Sequence, residues 1–175
     1  ETGAAQYYRD AKILTIYEGT TAIQANDLVG RKTARDGGQT AKAIASQIEQ
    51  TEKQLKAHSD ARCHAVAKRL SAAREAFLDV VEFFVAESKS NPNAVYAGSV
   101  PYLMLAGNLM SGWQMGRAML VALEHIAKND DVAFMQAKVT TARFYADHIL
   151  CKAPGLRDSI IAGADSVTEM ALEAF

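Results

Sequence analysis

The chain has 175 residues, 49% of them hydrophobic by a wide count and 22% charged, with a formal net charge of −1. Length and balance fit one ordinary domain of the soluble globular class with a sizeable core, and near-neutrality excludes bulk attraction to nucleic acid or to an anionic membrane. The longest apolar region, 100–126, is interrupted by Asn108, Gln114, Arg117 and Glu124, which excludes a span of roughly 20 apolar residues.

Prolines are scarce (Pro92, Pro101, Pro154), good helix formers abound, and period-two β-branched runs are missing apart from the ambiguous Ile13-Leu14-Thr15-Ile16. The expected fold class is all-α, a bundle of long amphipathic helices. In chain order, a helical piece ends near Lys12, a connection runs through Tyr17-Glu18-Gly19-Thr20, and a helix covers about 21–35. Asp36-Gly37-Gly38 stops it, because glycine takes a left-handed cap cheaply. Residues 1–38 are read as one part and 39–175 as a second.

In the second part a helix over about 40–58 carries Ile44, Ile48 and Leu55, and Ser59-Asp60 offers the next N-cap. Val66, Leu70, Ala73, Phe77, Val81 and Phe84 then recur at spacings of three and four, which places them on one face. Ser88 to Pro92 ends that helix. A third long helix is predicted over about 101–128, with Leu105, Leu109, Trp113, Leu120 and Leu123 buried. Its Gly107, Gly112 and Gly116 each cost about 1 kcal/mol against alanine, so close packing of a neighbouring helix is expected there. Asn129-Asp130-Asp131 breaks the chain. Val132, Met135, Val139, Ala142, Ala146 and Ile149 mark a fourth helix. Pro154-Gly155 is read as another break, followed by a last helix from about 156 toward 175. The expected core is Leu70, Phe77, Phe84, Leu109, Trp113, Val139 and Ile149.

The stretch that carries chemistry is Tyr8-Arg9-Asp10-Ala11-Lys12-Ile13-Leu14-Thr15-Ile16-Tyr17-Glu18-Gly19-Thr20-Thr21-Ala22-Ile23-Gln24. Glu18 sits at a break between helical segments, beside an aromatic ring and a residue without a side chain. Gly19 permits close approach of another molecule. Thr20 and Thr21 can cap the following helix, whose N-terminal amides favour an anion. On these grounds a general base beside an anionic cofactor and a solvated capping glutamate are both open readings.

The combination Tyr-Arg-Asp-Ala, Ile-Tyr-Glu-Gly-Thr and Ile-Gln resembles the closing segment of acyl-CoA dehydrogenases. The likeness covers about 1–35, so these residues would be the last helices of an acyl-CoA dehydrogenase C-terminal domain. The resemblance implies that Glu18 is the base that takes the α-proton of an acyl-CoA substrate, and that FAD accepts the β-hydrogen as hydride. It implies that Gly19 lines the thioester site, that the Glu18 amide polarises the thioester carbonyl, and that Thr20, Thr21, Ala22 and Gln24 lie along the FAD. It also implies an electron-transfer flavoprotein as electron acceptor and a homo-oligomer. The family's arginine about a dozen positions after the glutamate is replaced here by Gly30, and no role passes to Arg31. Residues 39–175 are similar to the additional C-terminal helical domain of a larger subgroup, which includes 3-methylmercaptopropionyl-CoA dehydrogenases.

Cys63-His64 and His148-x-x-Cys151 could be assembled into a metal site, but adjacent helical residues point about 100° apart, so no metal is expected. Glu124-His125 lacks the second histidine of a metalloprotease motif. Trp113 and Met104, Met110, Met115 and Met119 fit core better than an acyl groove. Lys42, Lys53, Lys56, Arg62, Lys68, Arg69 and Arg74, interspersed with Glu49, Glu52 and Asp60, read as a solvated face. Two cysteines are too few for a disulfide framework, so reduced thiols and a cytoplasmic location are expected. The start at Glu1-Thr2-Gly3 reads as cut from a longer protein. Two functions are therefore carried: part of a flavin-dependent dehydrogenase, inactive alone and binding no FAD alone, and a helical assembly module without chemistry of its own.

Overall fold

The computed structural model describes residues 3–15, 19–167 and 169–174, and every regular element among them is helical, as the residue pattern predicts. Helix α1 (Ala4–Ala11) runs into a 3-10 turn at Lys12–Thr15. The ambiguous Ile13 to Thr15 stretch is therefore helical, and Ile16 lies outside the described residues. Helix α2 (Thr21–Val29) continues as a π-helical turn, Gly30–Ala34, closed by the Arg35 amide donating to the Gly30 carbonyl at 3.1 Å. Gly37 and Gly38 then take φ of 66° and 76°. At Gly38 a Cβ would also meet Val81 Cγ1 at 2.6 Å, so both backbone and space call for glycine.

Helix α3 (Gln39–Ala57) and α4 (Ala61–Glu87) form the first long hairpin. A short α5 (Pro92–Ala97) follows, which the residue pattern did not separate from the break. Its signal is Asn91-Pro92: the Asn91 side chain accepts from the Ala94 amide at 3.3 Å, and proline opens the helix where no N–H is needed. Helix α6 (Ser99–Ala127) starts two residues before the predicted Pro101, which sits in its first turn. Helix α7 is Val132–His148 and α8 is Ala153–Ile161. Helices α4 and α6 are the spine: each packs against the other and against α3, α7 and α8, while α2 lies on α6.

The core follows from the apolar stripes. Leu70, Phe77 and Phe84 of α4, Leu109 of α6 and Val139 of α7 are buried. The Tyr102 ring stacks on Phe77 at 5.6 Å and meets Phe84 edge-on at 4.9 Å. Two expected core residues, Trp113 and Ile149, are only half-buried. Trp113 turns its indole N–H to the Thr51 hydroxyl at 2.8 Å, keeping a polar edge near the surface. Helix α7 ends one residue before Ile149, and a 3-10 turn at Leu150–Lys152 swings Leu150 inward in its place.

The last stretch also corrects the reading. Pro154 and Gly155 do not break a helix but lie in the first turn of α8, where the missing N–H has no intrahelical partner anyway. That helix stops at Ile161 and does not run toward 175; only 3-10 turns at Asp165–Val167 and Leu172–Ala174 follow. Beyond Ala164 no described residue is buried, and a short helix with no face to bury is marginal in water.

The three α6 glycines separate into two kinds. A Cβ at Gly112 would meet Leu150 carbons at 2.6 Å, and one at Gly116 would meet Leu55 at 3.1 Å, so both mark close packing. At Gly107 nothing lies within 4 Å. Gly107→Ala is therefore expected to raise stability by about 1 kcal/mol, whereas Gly112→Val is expected to lower it by about 1–3 kcal/mol through overpacking. Urea unfolding of both variants checks the opposite signs.

At the start of α4 the Asp60 carboxylate accepts from the Arg62 amide at 2.8 Å and grips the Arg62 guanidinium at 2.6 Å. The Arg62 hydrogen bonds pull its pKa from the ordinary 3.8 down to about 2. A folded-state pKa below the unfolded one stabilises fully above about pH 4 and is lost as pH falls toward 2. Asp60→Ala is expected to cost about 1 kcal/mol near neutrality and to flatten the loss of stability between pH 4 and 2, as read by thermal melts across that range.

Candidate functional site

Helix α2 positions the described part of the chemical segment. Its inner residues Ala25 and Val29 are fully buried where it packs on α6, which fixes its rotation. The opposite result holds at its start: Gly19, Thr20, Thr21, Ala22, Ile23 and Gln24 are all exposed. Glu18, the candidate base, and Tyr17 lie outside the described residues.

Thr20 is the N-cap residue, extended at φ −58° and ψ 139°, and its carbonyl accepts the Gln24 amide at 3.1 Å. Its side chain makes no capping bond, contrary to the capping role expected of it. The first-turn amides of α2 are thus left for an outside acceptor or water. The Gln24 side-chain amide folds over Gly19 and occupies the space a Cβ there would need. Gln24 is exposed and its amide is the far end of a flexible side chain, so it can move aside, and this contact alone does not require glycine.

Farther along α2, Asp27 pairs with Arg31 at 3.0 Å and with Lys32 at 3.6 Å, so Arg31 is engaged on its own helix. Gly30 lies beneath the Tyr96 hydroxyl, 2.7 Å from where a Cβ would stand. That contact joins α5, an element the residue pattern missed, to the end of α2. Behind it the Thr33 and Tyr102 hydroxyls are bonded at 3.0 Å in the interior.

The other candidates separate. Cys63 is buried, and burial pushes its thiol up from the ordinary value. His64 points outward, its Nε2 2.7 Å from the His58 carbonyl oxygen. The His148 ring packs at a tilt on Phe144 with centroids 4.5 Å apart, and Cys151 is half-buried. Among the described residues no three His, Cys, Asp or Glu side chains are grouped for a metal. Of the methionines, Met119 is core, Met110 and Met115 pack beside it, and Met104 is exposed.

The basic stretch is not wholly a solvated face. Glu52 is fully buried, and Arg74 donates to it from Nε at 2.6 Å and Nη2 at 3.2 Å. A carboxylate and a guanidinium on different helices gave no local signal; only the α3–α4 pairing brings them together. No helix among the described residues is long and apolar enough to cross a membrane.

Comparison with known proteins matches residues 41–171 to the family described as acetyl-CoA dehydrogenase C-terminal like. The chain is 48% identical, over 98% of its length, to a 3-methylmercaptopropionyl-CoA dehydrogenase of Ruegeria pomeroyi. It is 34% identical, over 97% of its length, to a broad-specificity linear acyl-CoA dehydrogenase of Mycobacterium tuberculosis, and 28% identical over its whole length to a butyryl-CoA dehydrogenase of Syntrophomonas wolfei. In each case it spans 29% of the relative's length. With the family match extending through the α3–α8 bundle, this chain belongs to the acetyl-CoA dehydrogenase C-terminal-like family.

Proposed function

We propose that this chain is the C-terminal part of a flavin-dependent acyl-CoA dehydrogenase, with residues 1–38 closing the catalytic domain and 39–175 forming an additional helical domain. The observation that carries the reading is 48% identity across 98% of the chain to a relative named 3-methylmercaptopropionyl-CoA dehydrogenase, together with the segment Tyr17-Glu18-Gly19-Thr20. Further support comes from α2, which is anchored by Ala25 and Val29 and leaves Gly19 to Gln24 uncovered. The helix start can therefore meet another surface. Helix α1 adds Tyr7 and Tyr8, exposed at 77% and 81%, more aromatic surface than an isolated helix needs.

In this reading Glu18 removes the α-proton of an acyl-CoA, and its carboxylate holds that proton until release. FAD, when bound, supplies the hydride acceptor for the β-hydrogen. Thr20, Thr21, Ala22 and Gln24 would hold one edge of it: they are exposed, adjacent, and next to amides without a side-chain cap. Gly19 keeps the thioester close to the backbone. An electron-transfer flavoprotein takes the electrons onward, and the enzyme is a homo-oligomer.

A few polar groups at one helix start are a small share of a flavin interface. The isolated 175-residue chain is therefore expected to purify colourless. The longer protein is expected to be yellow and to bleach on mixing with 3-methylmercaptopropionyl-CoA or a linear acyl-CoA. Stoichiometric flavin on the isolated chain would show that the walls are not elsewhere. A longer protein that holds no flavin, or whose flavin no acyl-CoA reduces, would end the reading.

A further inference from the structure

A surface groove of about 410 Å³ runs between the second half of α6 and the start of α7. It exists because Ala118 and Ala122, one helical turn apart on α6, are too small to fill the space between Val121 and the Phe134 ring of α7. Val121 and Phe134 are 52% and 51% exposed. Each rim carries a cation, Arg117 on α6 and Lys138 on α7. Arg117 donates to the neutral Gln114 side-chain oxygen at 2.9 Å and lies over Trp113, and the Lys138 ammonium lies 4.9 Å from the Phe134 ring centre. Neither cation is in an ion pair among the described residues, and among them no carboxylate lines the groove.

A complementary surface lies on the same chain. Residues 165–175 contain Asp165, Glu169 and Glu173 and neither lysine nor arginine. Val167, Met170, Ala171 and Ala174 recur at spacings of three and four, so in a helix they form one apolar stripe, bordered by Glu173 beside Met170. In the single chain α8 stops at Ile161, and Val167 and Met170 are 64% and 60% exposed. The helical pattern is present, and a face to bury its stripe against is not. The chain's own groove is out of reach of such a helix. The turn at Asp165–Val167 packs on α5, just before α6 begins, whereas the groove starts at Gln114, about 22 Å along the α6 axis from Ser99. The residues after Val167 span about 12 Å as a helix.

We propose that the groove is filled by residues 165–175 of a second copy of this chain, folded as a helix, with its apolar stripe against Val121 and Phe134 and Glu173 toward a rim cation. Returned reciprocally, the exchange closes a two-fold dimer with two identical contacts. Burial of the stripe supplies what the lone segment lacks for a stable helix. Opposite charge on rim and segment steers the encounter and fixes the choice of partner surface. The contact gives the homo-oligomer of the preceding reading a physical basis. It needs no flavin, so a monomeric chain would defeat it and leave the dehydrogenase reading to the flavin test.

Sedimentation of the 175-residue chain is expected to show a dimer that added salt weakens. Ending the chain after Ala164 is expected to give a folded monomer, because the buried core ends there. A synthetic peptide of residues 163–175 is expected to bind that shortened chain one-to-one and to gain helical circular dichroism as it binds. Phe134→Ser, at an exposed position that the fold does not depend on, is expected to weaken the peptide by about tenfold or more. Arg117→Glu with Lys138→Glu is expected to weaken it as well, and Glu173→Lys in the peptide to recover part of that loss. A full chain that stays monomeric at about 100 μM would overturn the exchange. A shortened chain that still dimerises would assign the contact to another surface. Peptide binding that Phe134→Ser and the charge reversals leave unchanged would place the segment elsewhere, and either result overturns the proposal.

Discussion

Glu18→Gln in the longer protein is expected to lower the limiting rate of flavin reduction by about 10²–10⁴-fold, the usual range for loss of a positioned general base. Glutamine keeps the size and shape of the side chain but cannot accept the α-proton. Flavin content and acyl-CoA affinity should change little, because those depend on contacts the substitution leaves in place. Rapid mixing with saturating acyl-CoA separates the two quantities: the limiting rate reports proton removal, and its concentration dependence reports binding. A normal limiting rate would show that the base is another residue, leaving Glu18 with the solvated capping role its neighbours also allow. A variant that loses its flavin would instead assign Glu18 to cofactor retention.

Arg74→Met is expected to cost about 3–5 kcal/mol of stability, the largest effect anticipated for any single change outside the chemical segment. Glu52 is fully buried, and its charge is met by two hydrogen bonds from Arg74. Methionine keeps much of the arginine's volume and removes the partner, so the carboxylate is left in the interior without compensation. The pair itself is not the source of net stability, since taking both ions out of water offsets most of their attraction. The double variant Glu52→Leu/Arg74→Met should therefore recover most of the loss. Denaturant unfolding of the two single variants and the double variant measures this directly. A loss below about 1 kcal/mol for Arg74→Met would place the pair with ordinary surface ion pairs.

Much of the bundle was legible because helical signals are local. Asp36-Gly37-Gly38, Asp60 and Asn129-Asp130-Asp131 terminate or start helices through their own backbone and side-chain chemistry. Leu70, Phe77 and Phe84 share a face by spacing alone. The segment around Glu18 was legible for a different reason: its combination of residues resembles one family, whereas the residues by themselves favoured a solvated or capping glutamate. Glu18 itself lies outside the described residues, and the role proposed for it rests on that resemblance.

The misses share a physical cause. Pro154-Gly155 has the composition of a break, yet proline in a first turn lacks only a donor that would have had no partner. Ile149 carries the right spacing, but α7 ends before it and the backbone turn substitutes Leu150. Glu52 and Arg74 are solvated by every local criterion, and only the approach of α3 to α4 buries them together. Gly107, Gly112 and Gly116 look alike along the chain, while Gly112 faces Leu150 of the 3-10 turn after α7, Gly116 faces Leu55 of α3, and Gly107 faces open space. Residue pattern determined which faces are apolar and where helices stop, because those depend on the nearest few residues. Which faces meet, which charges are enclosed and where space is left over depend on contacts between residues far apart in sequence, and those only the tertiary structure decided.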